Sequence, residues 1–216
     1  SQLVNEYGWV WLWRDGRPAK LTHNQYDYFV GENAHSQQNR EFQAYWLQLE
    51  TEWLRAERSF AGVLAFCYLT NNYGHTGDWF YGNIRDLIPG RTLEWFRHCF
   101  APAAVYIDLP DHRYIHNIKP FSPGGELLLN LVGVNDFGKQ SGGVVTLRVL
   151  NNNGEEVSRQ LLSVKIPGYG KAYFPAKVEL PEKPGGYLLL AGYSVDGKSP
   201  VISRPVSYTH LTLPTK

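Results

Sequence analysis

The stretch "VNEYGWVWLW", Val4 to Trp13, decides how the first part of the chain is read. Residues 3–6 form a short strand candidate that ends on a glutamate, and Gly8 then allows the backbone to approach a neighbour closely. Three alternating tryptophans and an Asp-Gly turn predict a small hairpin after it. The stretch therefore predicts a strand that carries one carboxylate into a loop rich in aromatic rings.

The segments that follow favour a parallel α/β arrangement. Ser36 is a good N-cap residue, and apolar residues recur at helical spacing over residues 40–58, which predicts that Trp46 and Trp53 lie in the core. "AGVLAFCYLT", residues 61–70, is a continuous apolar run typical of a parallel strand buried on both faces. A second aromatic loop and a shorter helix follow. This repeat of strand, long loop and helix indicates a barrel or a doubly wound sheet.

From Ala103 the pattern changes to short β-rich segments separated by turns such as "NNNG" and "KPGG". Their number and spacing predict an antiparallel immunoglobulin-like sandwich. The expected fold class is α/β plus all-β: the C-terminal part of a TIM (β/α)8 barrel, residues 1–101, followed by the sandwich, residues 102–205. Residues 206–216, "VSYTHLTLPTK", resemble a translated sequencing adapter, and we expect them to be a non-native tail.

The composition excludes several classes of partner and site. The net charge is +1 and charges are scattered, so we expect neither nucleic acid nor membrane as a partner. Cys67 and Cys99 are predicted to be thiols packed as small apolar groups. His112 and His116 have metal-like spacing but no cysteine or acidic cluster nearby, and no phosphate-binding glycine loop is present. We therefore expect no metal and no cofactor.

The residues that follow the predicted strands favour a carbohydrate site. In a parallel barrel the carboxyl ends of the strands and the loops after them form the active face, and Glu6 lies at such an end. Aromatic rings stack on the apolar faces of sugars, and carboxylates and amides bind the hydroxyls. The predicted partner is thus a carbohydrate.

The order of these segments resembles a known family. "NEYG", the strand "GVLAFCYL", the loop "GDWF" and the segment "FAPAAVYIDL" are similar to the end of the catalytic barrel of glycoside hydrolase family 2, which includes β-galactosidases, β-glucuronidases and β-mannosidases. The resemblance implies that Glu6 is the nucleophile on the seventh strand of a retaining β-glycosidase. An Asn-Glu pair also marks the acid/base on the fourth strand of related barrels. Only one further βα unit precedes the sandwich, which favours the nucleophile.

Further residues are expected to bind the substrate. The family usually has a tryptophan at the end of strand eight, where this sequence has Phe66, with Tyr68 nearby and Trp79 expected to take over the stacking. Polar residues of the loop after the second strand are expected to reach sugar hydroxyls. The full predicted set is Asn5, Tyr7, Trp9, Phe66, Tyr68, Asn71, Asn72, His75, Asp78 and Trp79.

The acid/base would lie upstream of Ser1, so we expect the chain to be a fragment that is inactive by itself, with the missing N-terminal part of the same polypeptide as a partner. The expected location is periplasmic or secreted. Two alternatives stay open: a noncatalytic carbohydrate-binding or adhesion protein with a degenerate barrel, and a barrel glycosidase of another family.

Overall fold

The computed structural model of the chain describes residues 2–70, 72, 79–111, 113 and 120–210. The chain divides into two units, Ser1–Phe100 and Ala101–Lys216. Within the described residues, no helix has both the length and the apolar character needed to cross a membrane. Neither Cys67 nor Cys99 takes part in a disulfide.

The first unit is built on two parallel strands. Strand β1 pairs in parallel with β2, and two helices lie between them in the chain. The elements in order are β1 (Gln2–Tyr7), α1 (His23–Phe29), α2 (Ser36–Glu57), β2 (Phe60–Ala65), β3 (Phe80–Tyr81), a 3₁₀ turn (Ile84–Asp86), β4 (Ile88–Pro89) and α3 (Arg91–Cys99). The parallel pairing agrees with the expected βα repeat. Two parallel strands do not define a barrel, so the TIM barrel stays a prediction.

The main helix differs from its prediction in its cap and in its buried face. Helix α2 begins at Ser36, and its cap is His35, whose Nδ1 accepts from the Gln38 N–H while the Gln38 side chain accepts from the His35 N–H. Trp53, predicted to be core, is 60% exposed. The face that the helix buries carries polar residues as well, among them Gln43, Gln48, Thr51 and Glu52.

Strand β2 is shorter and more open than the apolar run suggests. It ends at Ala65, and Leu64 within it is exposed. The described residues therefore do not form a strand that is buried on both faces. Helix α1 was not predicted; only Tyr26 of its seven residues is buried, which leaves little apolar periodicity to detect. The predicted hairpin after β1 is present as a bridge between Leu12 and Pro18.

The second unit is a sandwich of two antiparallel sheets. One has the order β5-β6-β9, and the other has the order β11-β10-β7-β8, with β12 also paired to β10. Side chains from both sheets form one apolar core, which includes Val105, Leu131, Leu147 and Leu189. The strands are β5 (Ala103–Asp108), β6 (Glu126–Asn135), β7 (Ser141–Leu150), β8 (Glu156–Ile166), β9 (Lys171–Glu179), β10 (Gly185–Ser194), β11 (Val201–Ile202) and β12 (Val206–His210). The predicted antiparallel sandwich is therefore present.

The start of the expected tail is part of this sandwich. Strand β12 pairs with β10 from Leu189↔Val206 to Gly185↔His210, and the Val206 and Tyr208 side chains are fully buried. Residues 211–216 lie outside the described part of the chain. A non-native origin for residues 206–216 stays a prediction, whereas the position of the first five as a strand is a structural finding.

Candidate active site at the carboxyl ends of the parallel strands

Glu6 lies in an irregular part of β1. Val4 pairs with Val63 and Tyr7 with Ala65, so β1 has one residue more than β2 between these two pairs. Such bulges re-aim side chains and are common beside active sites. Asn5 and Glu6 are the residues inside the bulge, and both are exposed. The structure thus presents the Glu6 carboxylate to solvent at the carboxyl end of the strand.

Tyr7, predicted to bind substrate, lies against the main helix. Its side chain is buried, and its hydroxyl lies 2.5 Å from Thr51 Oγ1 in α2. Burial raises the pKa of the Tyr7 phenol well above its ordinary value, so the hydroxyl stays protonated. The Tyr7 carbonyl accepts from the Phe66 N–H at 2.9 Å. Tyr7 therefore ties β1 to α2 on one side and to the end of β2 on the other.

The loop after β1 is held by buried polar side chains. The Val10 carbonyl accepts from the Tyr26 hydroxyl at 2.8 Å and from Gln43 Nε2 at 3.1 Å. The Trp11 carbonyl accepts from the Thr22 hydroxyl at 2.6 Å. Because these donors come from α1, from its N-cap and from α2, the helices fix the path of the loop.

Three aromatic rings form a continuous ledge at the ends of the two strands. The Trp9 and Trp11 ring centroids are 5.3 Å apart, and those of Trp11 and Phe66 are 5.8 Å apart. Trp11 also donates from Nε1 to the Phe66 carbonyl at 3.1 Å, which joins the two loops. Trp9 is 53% exposed and Phe66 is also exposed, whereas Trp11, which contacts both rings, is buried. We call Trp9, Trp11 and Phe66 the aromatic ledge.

Tyr68 and Trp79 form a second aromatic group. Their ring centroids are 5.4 Å apart with the planes nearly perpendicular. Tyr68 is exposed, but Trp79 is only 3% exposed because it packs against Phe96 of α3, at a centroid distance of 4.4 Å. The structure therefore gives Trp79 a packing role, and the exposed ring at this position is that of Tyr68.

The polar residues of the second loop are described only in part. Asn71, His75 and Asp78 lie outside the described residues, as do His112 and His116. Asn72 Oδ1 accepts from the Ile84 N–H at 2.8 Å, and the Asn72 carbonyl accepts from Arg14 Nε at 3.3 Å. The Asn72 side chain is thus engaged in holding the loop.

One ionisable residue near the site was not predicted from the sequence. Glu50 of α2 accepts from Trp46 Nε1 at 2.9 Å, and its carboxylate lies beside Gly8. Burial raises the pKa of Glu50, although the hydrogen bond from Trp46 and the nearby Gly8 N–H oppose the shift. A Trp and a Glu four residues apart on a helix are neighbours, but this spacing alone does not indicate burial.

Similarity to known proteins is found in structure and not in sequence. No family model and no curated protein matches the chain. The β-D-mannosidase from Dictyoglomus thermophilum aligns over 82% of this chain and 20% of its own, with 15% identity and a TM-score of 0.55. This likeness shows a glycoside hydrolase-like fold. The chain spans about a fifth of that protein's length.

Two other solved glycosidases align over less of the chain. A putative β-galactosidase from Bacteroides fragilis aligns over 48% of this chain and 15% of its own, with 15% identity and a TM-score of 0.36. A β-glucuronidase from glycoside hydrolase family 2 aligns over 49% and 10%, with 13% identity and a TM-score of 0.32. Both TM-scores are below 0.5, so the likeness in fold rests on the β-D-mannosidase.

Proposed function

We propose that the chain is the C-terminal part of a retaining β-glycosidase and that Glu6 is its nucleophile. The observation that carries the proposal is the exposed Glu6 carboxylate in a bulge at the carboxyl end of a parallel strand, the edge of a barrel at which active sites form. In this proposal β1 and β2 are the last two strands of a TIM barrel. The sandwich is of immunoglobulin-like type, which the strand order β5-β6-β9 and β10-β7-β8 supports.

The proposed reaction needs a second carboxyl group. Glu6 attacks the anomeric carbon and forms a covalent glycosyl-enzyme, while an acid/base about 5–5.5 Å away protonates the leaving oxygen and then activates water. We place that acid/base on an earlier strand of the proposed barrel, upstream of Ser1. The chain by itself is therefore expected not to hydrolyse an aryl glycoside.

The aromatic ledge supports a carbohydrate as the substrate. Trp9 and Phe66 expose ring surface at the strand ends, and ring faces pack well on the C–H faces of a β-linked hexose. The fixed loop path means that little freedom is lost when a sugar binds. The proposed substrate is a β-galactoside or a related β-hexoside, and the proposed location is periplasmic or secreted.

Azide rescue of a reconstituted enzyme tests the proposal. The chain is co-expressed with the upstream segment of its polypeptide and assayed on aryl β-galactoside and aryl β-mannoside. Glu6→Gly is expected to lower kcat by a factor on the order of 10⁴. Sodium azide should then restore release of the aryl group and give a glycosyl azide of inverted, α configuration, because azide replaces the missing carboxylate as nucleophile.

A matched variant separates this role from a structural one. Glu32 is also exposed and lies in a loop between α1 and α2, so Glu32→Gly should leave kcat unchanged. If Glu6→Gly keeps its activity, or azide restores nothing in an otherwise folded enzyme, Glu6 is not the nucleophile. Activity of the chain without the upstream segment would contradict the missing acid/base.

A further inference from the structure

Two neighbouring loops of the sandwich expose aromatic rings that the core does not use. Phe137, in residues 136–140 between β6 and β7, is 54% exposed, and Tyr169, in residues 167–170 between β8 and β9, is 74% exposed. We propose that these two loops form a second carbohydrate-binding surface, which takes a neutral β-1,4-linked hexose chain. We call Phe137 and Tyr169 with their loops the loop platform.

A buried asparagine joins the two loops. Asn135 is fully buried, and its Nδ2 lies 2.8 Å from the Lys139 carbonyl in one loop and 3.2 Å from the Pro167 carbonyl in the other. Its Oδ1 accepts from the Phe137 N–H at 2.9 Å. The Tyr169 N–H also donates to the Phe137 carbonyl at 2.9 Å. These bonds hold the backbones that carry both rings in one arrangement.

The Tyr169 ring lies close to the backbone of Gly138 in the neighbouring loop. A Cβ placed on Gly138 would lie 3.1 Å from two atoms of the Tyr169 side chain, so the ring lies against the Gly138 backbone. A Cβ on Gly168 would lie 2.4 Å from the Gly138 carbonyl oxygen, so the two loops also touch. Tyr169 has φ +50°, a left-handed conformation that costs a non-glycine residue energy and occurs often at ligand sites. An exposed ring held in this way is pre-organised for binding.

The size and chemistry of the loop platform favour a sugar over a protein. The two aromatic side chains together bury roughly 300–500 Å² at most, so the rings alone fall short of the roughly 800 Å² that each partner buries in a stable protein interface. Asp136 and Lys139 are exposed beside Phe137 and can bind hydroxyls. A β-1,4-linked hexose chain offers flat C–H faces bordered by hydroxyls, which match rings bordered by polar groups.

Calorimetric titration of the full chain with cellohexaose and with mannohexaose tests this inference. Saturable binding by at least one of them is expected. Tyr169→Ala and Phe137→Ala should each weaken it by about tenfold, which corresponds to about 1.4 kcal/mol. Tyr169→Phe keeps the ring and should keep the affinity. Tyr28→Ala removes an exposed tyrosine of the first unit and is the matched control that should bind as the parent does.

Amide NMR shifts locate the binding. On titration, shifts are expected at residues 135–140 and 167–171, including the signals of Gly138, Gly168 and Gly170. Trp9→Ala, in the aromatic ledge, should not change them, so this result is independent of the proposed catalytic function. The inference is overturned if neither hexaose binds at millimolar concentration, if a folded Phe137→Ala/Tyr169→Ala variant binds equally well, or if the shifts lie only in the first unit.

Discussion

Gly8 directly follows β1. Its position imposes two requirements that only glycine meets. Its φ is +80°, and a Cβ there would lie 2.2 Å from Leu47 Cδ2. Gly8→Ala should therefore destabilise the first unit by about 2–4 kcal/mol, from the left-handed backbone and from overpacking together. Gly82→Ala is the matched control, because Gly82 has φ +63° but no atom of the described residues lies within 4 Å of a Cβ placed there. It should cost only about 1 kcal/mol, and equal losses in urea unfolding would show that the Leu47 contact does not matter.

Glu50 makes the stability of the first unit depend on pH. Because burial raises its pKa in the folded state, the folded chain binds the Glu50 proton more tightly than the unfolded chain does. The stability this proton confers is complete below the pKa of the unfolded chain and is lost as pH rises through the folded pKa. Glu50→Gln keeps the shape of the side chain and removes the titration.

The measurement is the difference in unfolding free energy between the parent and Glu50→Gln at several pH values above about 4. The parent should lose stability relative to Glu50→Gln as pH rises, and the difference in unfolding free energy should then become constant. Glu57→Gln makes the same substitution at an exposed glutamate of the same helix and is the control for removing a carboxylate that α2 does not bury. A difference that does not vary with pH would mean that the carboxylate is solvated in the folded chain.

Which rings would be exposed could not be predicted from the sequence. Trp9 and Trp79 both lie in aromatic loops after apolar strands, and both were therefore predicted to bind the sugar. The two residues differ because Trp79 packs against Phe96, which belongs to helix α3 later in the chain. The position of Glu6 was easier to predict, because a glutamate near the end of a strand keeps its place whichever rings surround it, and its role as nucleophile stays a prediction.

At the scale of elements, the cap of α2 shows how a residue type can mislead. Serine is among the best N-caps, but the chain uses His35 and Gln38 as a reciprocal pair, and Ser36 is already helical. His35→Asp should raise the unfolding free energy by about 0.5–1 kcal/mol, since a carboxylate caps better and interacts favourably with the helix dipole. Ser36→Ala should be nearly neutral in thermal unfolding. A large loss of thermal stability in Ser36→Ala would show that Ser36 is the cap.

The buried face of α2 explains another error in the sequence analysis. Periodicity assumes that apolar residues face inward, but α2 buries Gln43, which donates to the Val10 carbonyl and accepts from the Thr92 hydroxyl at 2.9 Å. The partners that make this burial tolerable lie in a distant loop and in α3. Helix α2 and the strands of the sandwich were predicted because their local patterns are strong. The buried side was not, because it depends on partners that local patterns do not contain.

At the scale of the whole molecule, the last described strand decides whether the sandwich is complete. Val206 and Tyr208 of β12 are fully buried, and the Tyr208 ring stacks on Tyr187 with centroids 5.7 Å apart. Burying a large apolar side chain is worth about 1.5–3 kcal/mol, so a chain truncated after Pro205 should lose about 3–6 kcal/mol of stability. That loss approaches the total stability of many domains.

Truncation after His210 is the matched control, because it also shortens the chain but leaves β12 whole. The double variant Val206→Ala/Tyr208→Ala should reproduce most of the loss without shortening the chain, which separates buried side chains from the backbone pairing of β12 with β10. If truncation after Pro205 leaves the unfolding midpoint unchanged, β12 adds nothing to the sandwich. The natural sandwich would then close without these residues, as expected if residues 206–216 are a non-native tail.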